Sequence, residues 1–276
     1  MHQNPSKVRL LLVDPKRVEL TPYNGVPHLA TQVAVDPEKV VRLLKGAIQE
    51  MLRRFKLLEE AGVRNIQSYN HSAKAREPIP YLVICIDELV DLMMAASFDV
   101  EQSICRLAQM GRATGIHLVV ATQRPSVDVV TGLIKANFPT RISFSVASQV
   151  DSRTILDMAG AERLLGRGDM LFLSRESAKP RRVQGVFISE EETERLAEYW
   201  RGSSGDYLPE VPLEVMGQAA ENMAAESQWS EHDDDQDSLY HRALDLANRY
   251  RQISTSLLQR RLRIGYPRAA RLMDLL

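Results

Sequence analysis

The chain has 276 residues, 35 Lys and Arg against 36 Asp and Glu, a formal net charge of −1, and 44% apolar residues. That length suits one large domain with its own core plus a small one. No signal peptide opens the sequence and no apolar run nears 18 residues, which excludes a membrane-spanning segment here and makes the cytoplasm the expected location. The two cysteines, Cys85 and Cys105, lack metal-ligand spacing and read as reduced core residues, and the six histidines form no zinc pattern.

In chain order, residues 36–60 carry Val40, Leu43, Leu44, Ala47, Met51, Phe55 and Leu58 at helical spacing, which predicts an amphipathic helix with that face inward. Arg53 and Arg54 are read as part of its solvated face, with a DNA-facing role as the competing reading. Residues 81–88, Tyr-Leu-Val-Ile-Cys-Ile-Asp-Glu, predict a strand buried on both faces of a parallel sheet and ending in two acids. Open α/β sheets bind ligands at the carboxyl ends of their strands. In nucleotide-hydrolysing P-loop proteins the first such acid helps hold Mg²⁺ and the second can polarise water. Asp87 is therefore the candidate Mg²⁺ ligand, acting through water, and Glu88 the candidate base. The competing reading makes the pair an acidic cap and first turn for the helix expected over 89–96.

A second apolar run, 115–121, ends in Thr122-Gln123-Arg124-Pro125. A hydroxyl and an amide at that tip are placed to sense a γ-phosphate; a plain turn is the alternative. His117, inside this strand, reads as a core residue. Gly160, Gly166 and Gly168 punctuate 160–169, yet the Lys-Ser/Thr pair of a phosphate loop is missing there.

The net charge conceals an asymmetry. Residues 202–238 hold ten Asp or Glu and no Lys or Arg, which reads as a flexible acidic linker, whereas 239–276 hold eight Arg, no Lys and two Asp. Three short helices are predicted in the tail, the second capped near Ser254 and the third opening at Pro267, with a glycine-containing turn at Arg263-Ile264-Gly265-Tyr266 between them. This is helix-turn-helix spacing. Arg268 and Arg271 project outward toward guanine edges or phosphates, and Arg260, Arg261 and Arg263 suit backbone contacts. A basic solvated bundle is the alternative.

Longer motifs add a family resemblance. Asp14-Pro15-Lys16, Tyr23-Asn24-Gly25-Val26-Pro27-His28-Leu29, Arg106–Ala113, 115–137, Asp151-Ser152-Arg153-Thr154-Ile155-Leu156-Asp157 and 160–173 resemble the motor of the FtsK/SpoIIIE DNA translocases. Gln259-Arg260-Arg261-Leu262-Arg263-Ile264-Gly265-Tyr266 and Arg268-Ala269-Ala270-Arg271-Leu272 resemble their carboxy-terminal winged-helix module. The resemblance implies a RecA-like α/β motor over 1–201, the linker over 202–238 and a winged-helix DNA-binding domain over 239–276 that stops before its wing. It also implies ATP and Mg²⁺, double-stranded DNA, a homo-hexameric ring in the complete protein, and recombinase or divisome partners. Function by this resemblance is ATP-driven DNA translocation in chromosome segregation and cell division, with oriented DNA signals read by the tail. Full-length relatives are expected to be membrane-anchored at the septum. In such rings an arginine reaches the neighbour's γ-phosphate, and Arg141 and Arg153 are the preferred candidates, with Arg112 behind them.

No Gly-x-x-x-x-Gly-Lys-Ser/Thr occurs in the sequence, and only 13 residues precede Asp14. The chain is thus expected to begin after the P-loop strand and helix, to be poorly stable alone and not to hydrolyse ATP as it stands. A DNA-binding protein with a vestigial motor half is the alternative function.

Overall fold

A computed structural model describes residues 3–72, 77–203, 212–219, 221–222, 257 and 273, and its chain divides into units of 1–218 and 219–276. In the first unit, strands β1 (Val8–Val13), β2 (Tyr81–Ile86) and β3 (Ile116–Val120) form a parallel sheet in the order β1-β2-β3. Helix α1 (Pro37–Ala61) follows β1, the short α2 (Ile66–Asn70) precedes β2, and α3 (Leu89–Thr114) joins β2 to β3. Beyond β3 lie α4 (Gly132–Asn137), β4 (Arg141–Ser143), α5 (Gln149–Leu156), β5 (Asp169–Leu173), β6 (Arg181–Gln184) and α6 (Glu190–Arg201). Strands β4, β5 and β6 make a separate antiparallel ladder. Among the described residues β3 pairs only with β2 and β4 only with β5, so each ladder ends on an open edge.

Helix α1 starts where its chemistry dictates. The Asp36 carboxylate accepts from Lys39 N at 3.0 Å, Pro37 occupies the first turn, and Gly62 closes the helix at φ 70°. The face expected to be apolar (Val40, Leu43, Leu44, Ala47, Met51) packs with Leu82, Ile84 and Ile86 of β2 and with Leu92, Ile104 and Leu107 of α3. Helix α3 outruns the expected 89–96: Ala96, at φ −153° and ψ 58°, kinks it rather than ending it. Burial of the second half, through Val100, Ile104 and Leu107, continues the helix past the break.

Four expectations require correction. Strand β2 is not buried on both faces. Leu82, Ile84 and Ile86 lie under α1 and α3, whereas Tyr81, Val83 and Cys85 on the other face are half-buried, because both long helices pack on one side. His117 is exposed on that second face, stacked on Tyr81 with ring centroids 6.0 Å apart, and is not a core residue. Arg54 does not belong to a solvated face; it is 2% exposed and ion-paired. Finally, part of the expected flexible linker is ordered onto the motor unit.

That ordered part is a helical stretch at 213–219. Leu213 is fully buried in the main core, and Glu214 pairs with Lys39 at 3.3 Å and Arg42 at 3.7 Å. Two glycines permit the approach. A Cβ on Gly46 would lie 1.7 Å from Leu213 O, and one on Gly217 would lie 1.9 Å from Arg42 O. No side chain fits there, so Gly46→Ala is expected to undock the stretch, at about 1–3 kcal/mol for an overpacked contact. Limited proteolysis checks it: cleavage between 203 and 218 should accelerate while 8–120 stays resistant. Unchanged cleavage would show that 213–219 does not rest on α1.

Candidate nucleotide-hydrolysis site at the strand tips

The in-register ladder brings three chain turns to one edge. Val13 pairs with Ile86 and Ile86 with Val120, so the residues that follow each strand emerge side by side. After β1 come Asp14-Pro15-Lys16, after β2 Asp87-Glu88, and after β3 Thr122-Gln123.

Asp14 is fully buried and organises its own loop. Its Oδ2 accepts from Leu20 N at 2.9 Å, Thr21 N at 3.2 Å and Thr21 Oγ1 at 3.1 Å. Burial pushes this carboxyl up, but the donors from Leu20, Thr21 and Val18 outweigh it and hold Asp14 below the usual carboxylate range. Asp14 O also accepts from Arg17 N at 3.2 Å, closing a turn with Pro15 second and Lys16 third. Lys16 thereby stands on a fixed backbone and reaches inward.

Glu88 occupies the cap position of α3 yet makes no side-chain cap hydrogen bond. This disfavours the acidic-cap reading for it. Its fully buried side chain crosses instead to the neighbouring tips: Oε1 accepts from Thr122 Oγ1 at 2.6 Å and Gln123 N at 3.1 Å, and Oε2 accepts from Lys16 Nζ at 2.8 Å. Burial pushes its carboxyl up, but the bonds from Lys16, Thr122 and Gln123 prevail and hold it below the ordinary glutamate value. It is a carboxylate at neutral pH, able to accept a proton. The Gln123 side chain joins the same group, its Oε1 lying 3.4 Å from Lys16 Nζ.

Asp87 behaves differently. Burial pushes its carboxyl up, and the charges of Asp14, Glu19 and Glu88 push it the same way against Lys16. Asp87 Oδ2 and Asp14 Oδ1 are buried with no hydrogen-bond partner. Unsatisfied carboxylate oxygens in a site crowded with negative charge fit a hydrated divalent cation, whose waters and charge answer both deficits. The oxygen donors suit Mg²⁺.

Of the residues expected at the site, Asp87, Glu88, Thr122 and Gln123 converge. The candidate arginines do not join them. Arg141 is held within its own chain, donating through Nη1 to Ile155 O and to Asp157 Oδ2, each at 2.7 Å, while Lys135 Nζ takes Asp157 Oδ1 at 2.8 Å. Lys135 and Arg141 together hold the Asp157 carboxyl below its usual range. Arg153 is exposed on α5, and Arg112 is exposed beside a cleft lined by Tyr81, His117, Gln109 and Asn65 at the opposite ends of the strands. Arg260, Arg261, Arg263, Arg268 and Arg271 lie outside the described residues. Sequence reasoning missed Asp14 and Lys16 as site residues. The available signal was that residues 10–13, like Tyr81–Ile86, are an apolar run followed directly by Asp.

Comparison with known proteins bears on both ends of the chain. The FtsK/SpoIIIE family model matches residues 1–127, and the Ftsk gamma domain model matches 234–276. The DNA translocase SpoIIIE of Bacillus subtilis (strain 168) is 51% identical over 99% of the chain and 34% of its own length. The DNA translocase FtsK of Caldanaerobacter subterraneus subsp. tengcongensis is 52% identical over 98% of the chain and 37% of its own length. The chain thus spans about a third of the length of the curated relatives it matches. Among solved structures, the pCW3 conjugation coupling protein TcpA, monomer form with ATPgS, superposes with a TM-score of 0.63 at 28% identity, over 71% of this chain and 56% of that one. The cytoplasmic domain of the type VII secretion ATPase EccC of Thermomonospora curvata gives 0.62 at 22% identity, over 76% and 26%, a likeness of fold alone.

Proposed function

Because the chain belongs to the FtsK/SpoIIIE family, we propose that it forms part of an ATP-driven double-stranded DNA translocase serving chromosome segregation and cell division, and that its strand tips carry the hydrolytic chemistry. The observation behind this reading is Glu88, a fully buried carboxylate that ignores its own helix and bonds to Lys16, Thr122 and Gln123 on the two neighbouring strands. Such a group is fixed in direction and kept ionised, as a base for water requires.

In the proposed reaction a water attacks the γ-phosphorus of ATP. Glu88 receives the proton, the bond from phosphorus to the β-phosphate bridging oxygen breaks, and the diphosphate departs with that electron pair. Asp87, through water, and Asp14 beside it would hold Mg²⁺, which neutralises charge on the phosphates. Gln123 and Thr122 orient the water and sense the γ-phosphate. A phosphate loop must come from sequence outside these 276 residues, which contain no Gly-x-x-x-x-Gly-Lys-Ser/Thr. Its strand would find an unpaired edge on β3. The assembly is a hexameric ring around DNA, with Arg153 as the arginine offered to a neighbour. Residues 239–276 read DNA, with Arg268 and Arg271 at base edges and Arg260, Arg261 and Arg263 on phosphates.

The deciding experiment measures DNA-stimulated ATP hydrolysis by this chain and by the same chain joined to its phosphate-loop segment. Hydrolysis by the joined form alone is expected. Silence in both, with DNA still bound through 239–276, would replace the motor reading with that of a DNA-binding protein whose motor half is vestigial.

A further inference from the structure

The cation at the strand tips has no assigned role in that reaction. Lys16 is 39% exposed, whereas its partner Glu88 is fully buried. The Glu88 carboxylate is already met on Oε1 by the Thr122 hydroxyl and the Gln123 backbone N–H, and that N–H also lies 3.3 Å from Oε2, so Lys16 is not needed merely to satisfy the carboxylate. Its ammonium takes Oε2 at 2.8 Å and also approaches Gln123 Oε1 at 3.4 Å. It therefore engages both the group read as the base and the amide read as the phosphate sensor. While it does so, it fills one acceptor position of Oε2 and its charge stabilises the unprotonated carboxylate, which opposes proton transfer from water. The backbone beneath Lys16 is fixed by the Pro15 turn, and Asp14 anchors the following loop. Only the four-carbon stem needs to move, and its exposure lets it move without opening the core.

We propose that Lys16 is a latch on Glu88: its ammonium occupies the base and the sensing amide, and it transfers to the terminal phosphate when a nucleoside triphosphate binds, releasing Glu88 to take the proton. The proposal rests on the hydrolytic reading above. It makes Lys16 a positioning residue for the base and a discriminator of triphosphate from diphosphate, since only the triphosphate offers the acceptor to which the ammonium transfers. The negative surroundings favour such a transfer. A triphosphate entering beside Asp14, Asp87 and Glu88 needs added positive charge, and a mobile ammonium provides it.

A thermodynamic cycle tests the latch through binding rather than turnover. Equilibrium affinity for ATPγS and for ADP, both with Mg²⁺, is measured on the chain joined to its phosphate-loop segment, as parent, Glu88→Gln, Lys16→Met and the double variant. If Lys16 must leave Glu88 to reach the phosphate, removing the Glu88 charge makes departure easier. Glu88→Gln should then tighten ATPγS binding about tenfold, within the usual range of coupling between sites. In the Lys16→Met background the same change should have no effect. Lys16→Met alone should weaken ATPγS and leave ADP nearly unchanged, and Lys16→Arg should restore most of the loss. Equal tightening in both backgrounds, or equal weakening for ATPγS and ADP, would reduce Lys16 to a structural counter-ion and overturn the latch. A parent that binds neither nucleotide would bring down the hydrolytic reading and the latch together, whereas binding without coupling brings down the latch alone.

Discussion

Replacing Glu88 with glutamine is expected to lower hydrolysis about 10²–10⁴-fold in the form carrying its phosphate loop, the usual contribution of a positioned general base, without weakening nucleotide binding. The substitution is nearly isosteric. The new amide oxygen still accepts from Thr122 Oγ1 and Gln123 N, which lie at 2.6 and 3.1 Å from the present carboxylate, so the side chain keeps its direction. Two things are lost: the capacity to take a proton, and the ion pair with Lys16. The first removes the reaction step. The second frees a cation in a site about to receive phosphates. Single-turnover hydrolysis alongside equilibrium ATPγS binding separates these effects. A Glu88→Gln protein that hydrolyses at the parent rate would sink the assignment of Glu88 as base, whatever its affinity.

What could be read in the sequence follows from how local each signal was. The β2 strand and its two acids were legible because an apolar run, its length and its terminal residues are all contiguous. The inward face of α1 was legible for the same reason, since a helical stripe repeats within a dozen residues. The second face of β2 was not, because an unbroken apolar run looks the same whether one or two layers cover it. Lys16 was missed because its meaning depends on a residue 72 positions away, and nothing in a Pro-Lys dipeptide tells a turn at the surface from a cation on a buried acid. The docked stretch at 213–219 was hidden by composition. An acidic, alanine-containing segment resembles linker until Gly46 is seen to face the Leu213 backbone and Gly217 that of Arg42. Arg54 falls in the same class, because helical phase alone does not reveal that a neighbouring helix ends against it.

Arg54 also carries the largest stability effect expected in the fold. It is 2% exposed, Glu50 is 3% exposed, and its Nε donates to Glu50 Oε1 at 2.8 Å. Its Nη1 donates to Thr114 O at 2.9 Å, so the guanidinium sits among the last carbonyls of α3, the negative end of that helix. One side chain thus ties α1 to the end of the helix leading into β3. Burial works against the charge of Arg54 and prevails, Glu50 offsetting only part of it; burial likewise pushes the Glu50 carboxyl up, but Arg53 and Arg54 bring it below its usual value. Glu50→Ala would strand the Arg54 charge with one carbonyl for company. Breaking such a buried pair from one side costs about 3–5 kcal/mol. The Asp169–Arg182 pair, with the arginine side chain 56% exposed, should by contrast contribute little, because water screens it. Urea unfolding of the chain provides the comparison, with Glu50→Leu/Arg54→Met as the control that removes both charges together and is expected to recover most of the loss. A Glu50→Ala cost below about 1 kcal/mol would mean that water reaches Arg54. A double variant as unstable as the single one would place the energy in packing of the stems rather than in the ion pair.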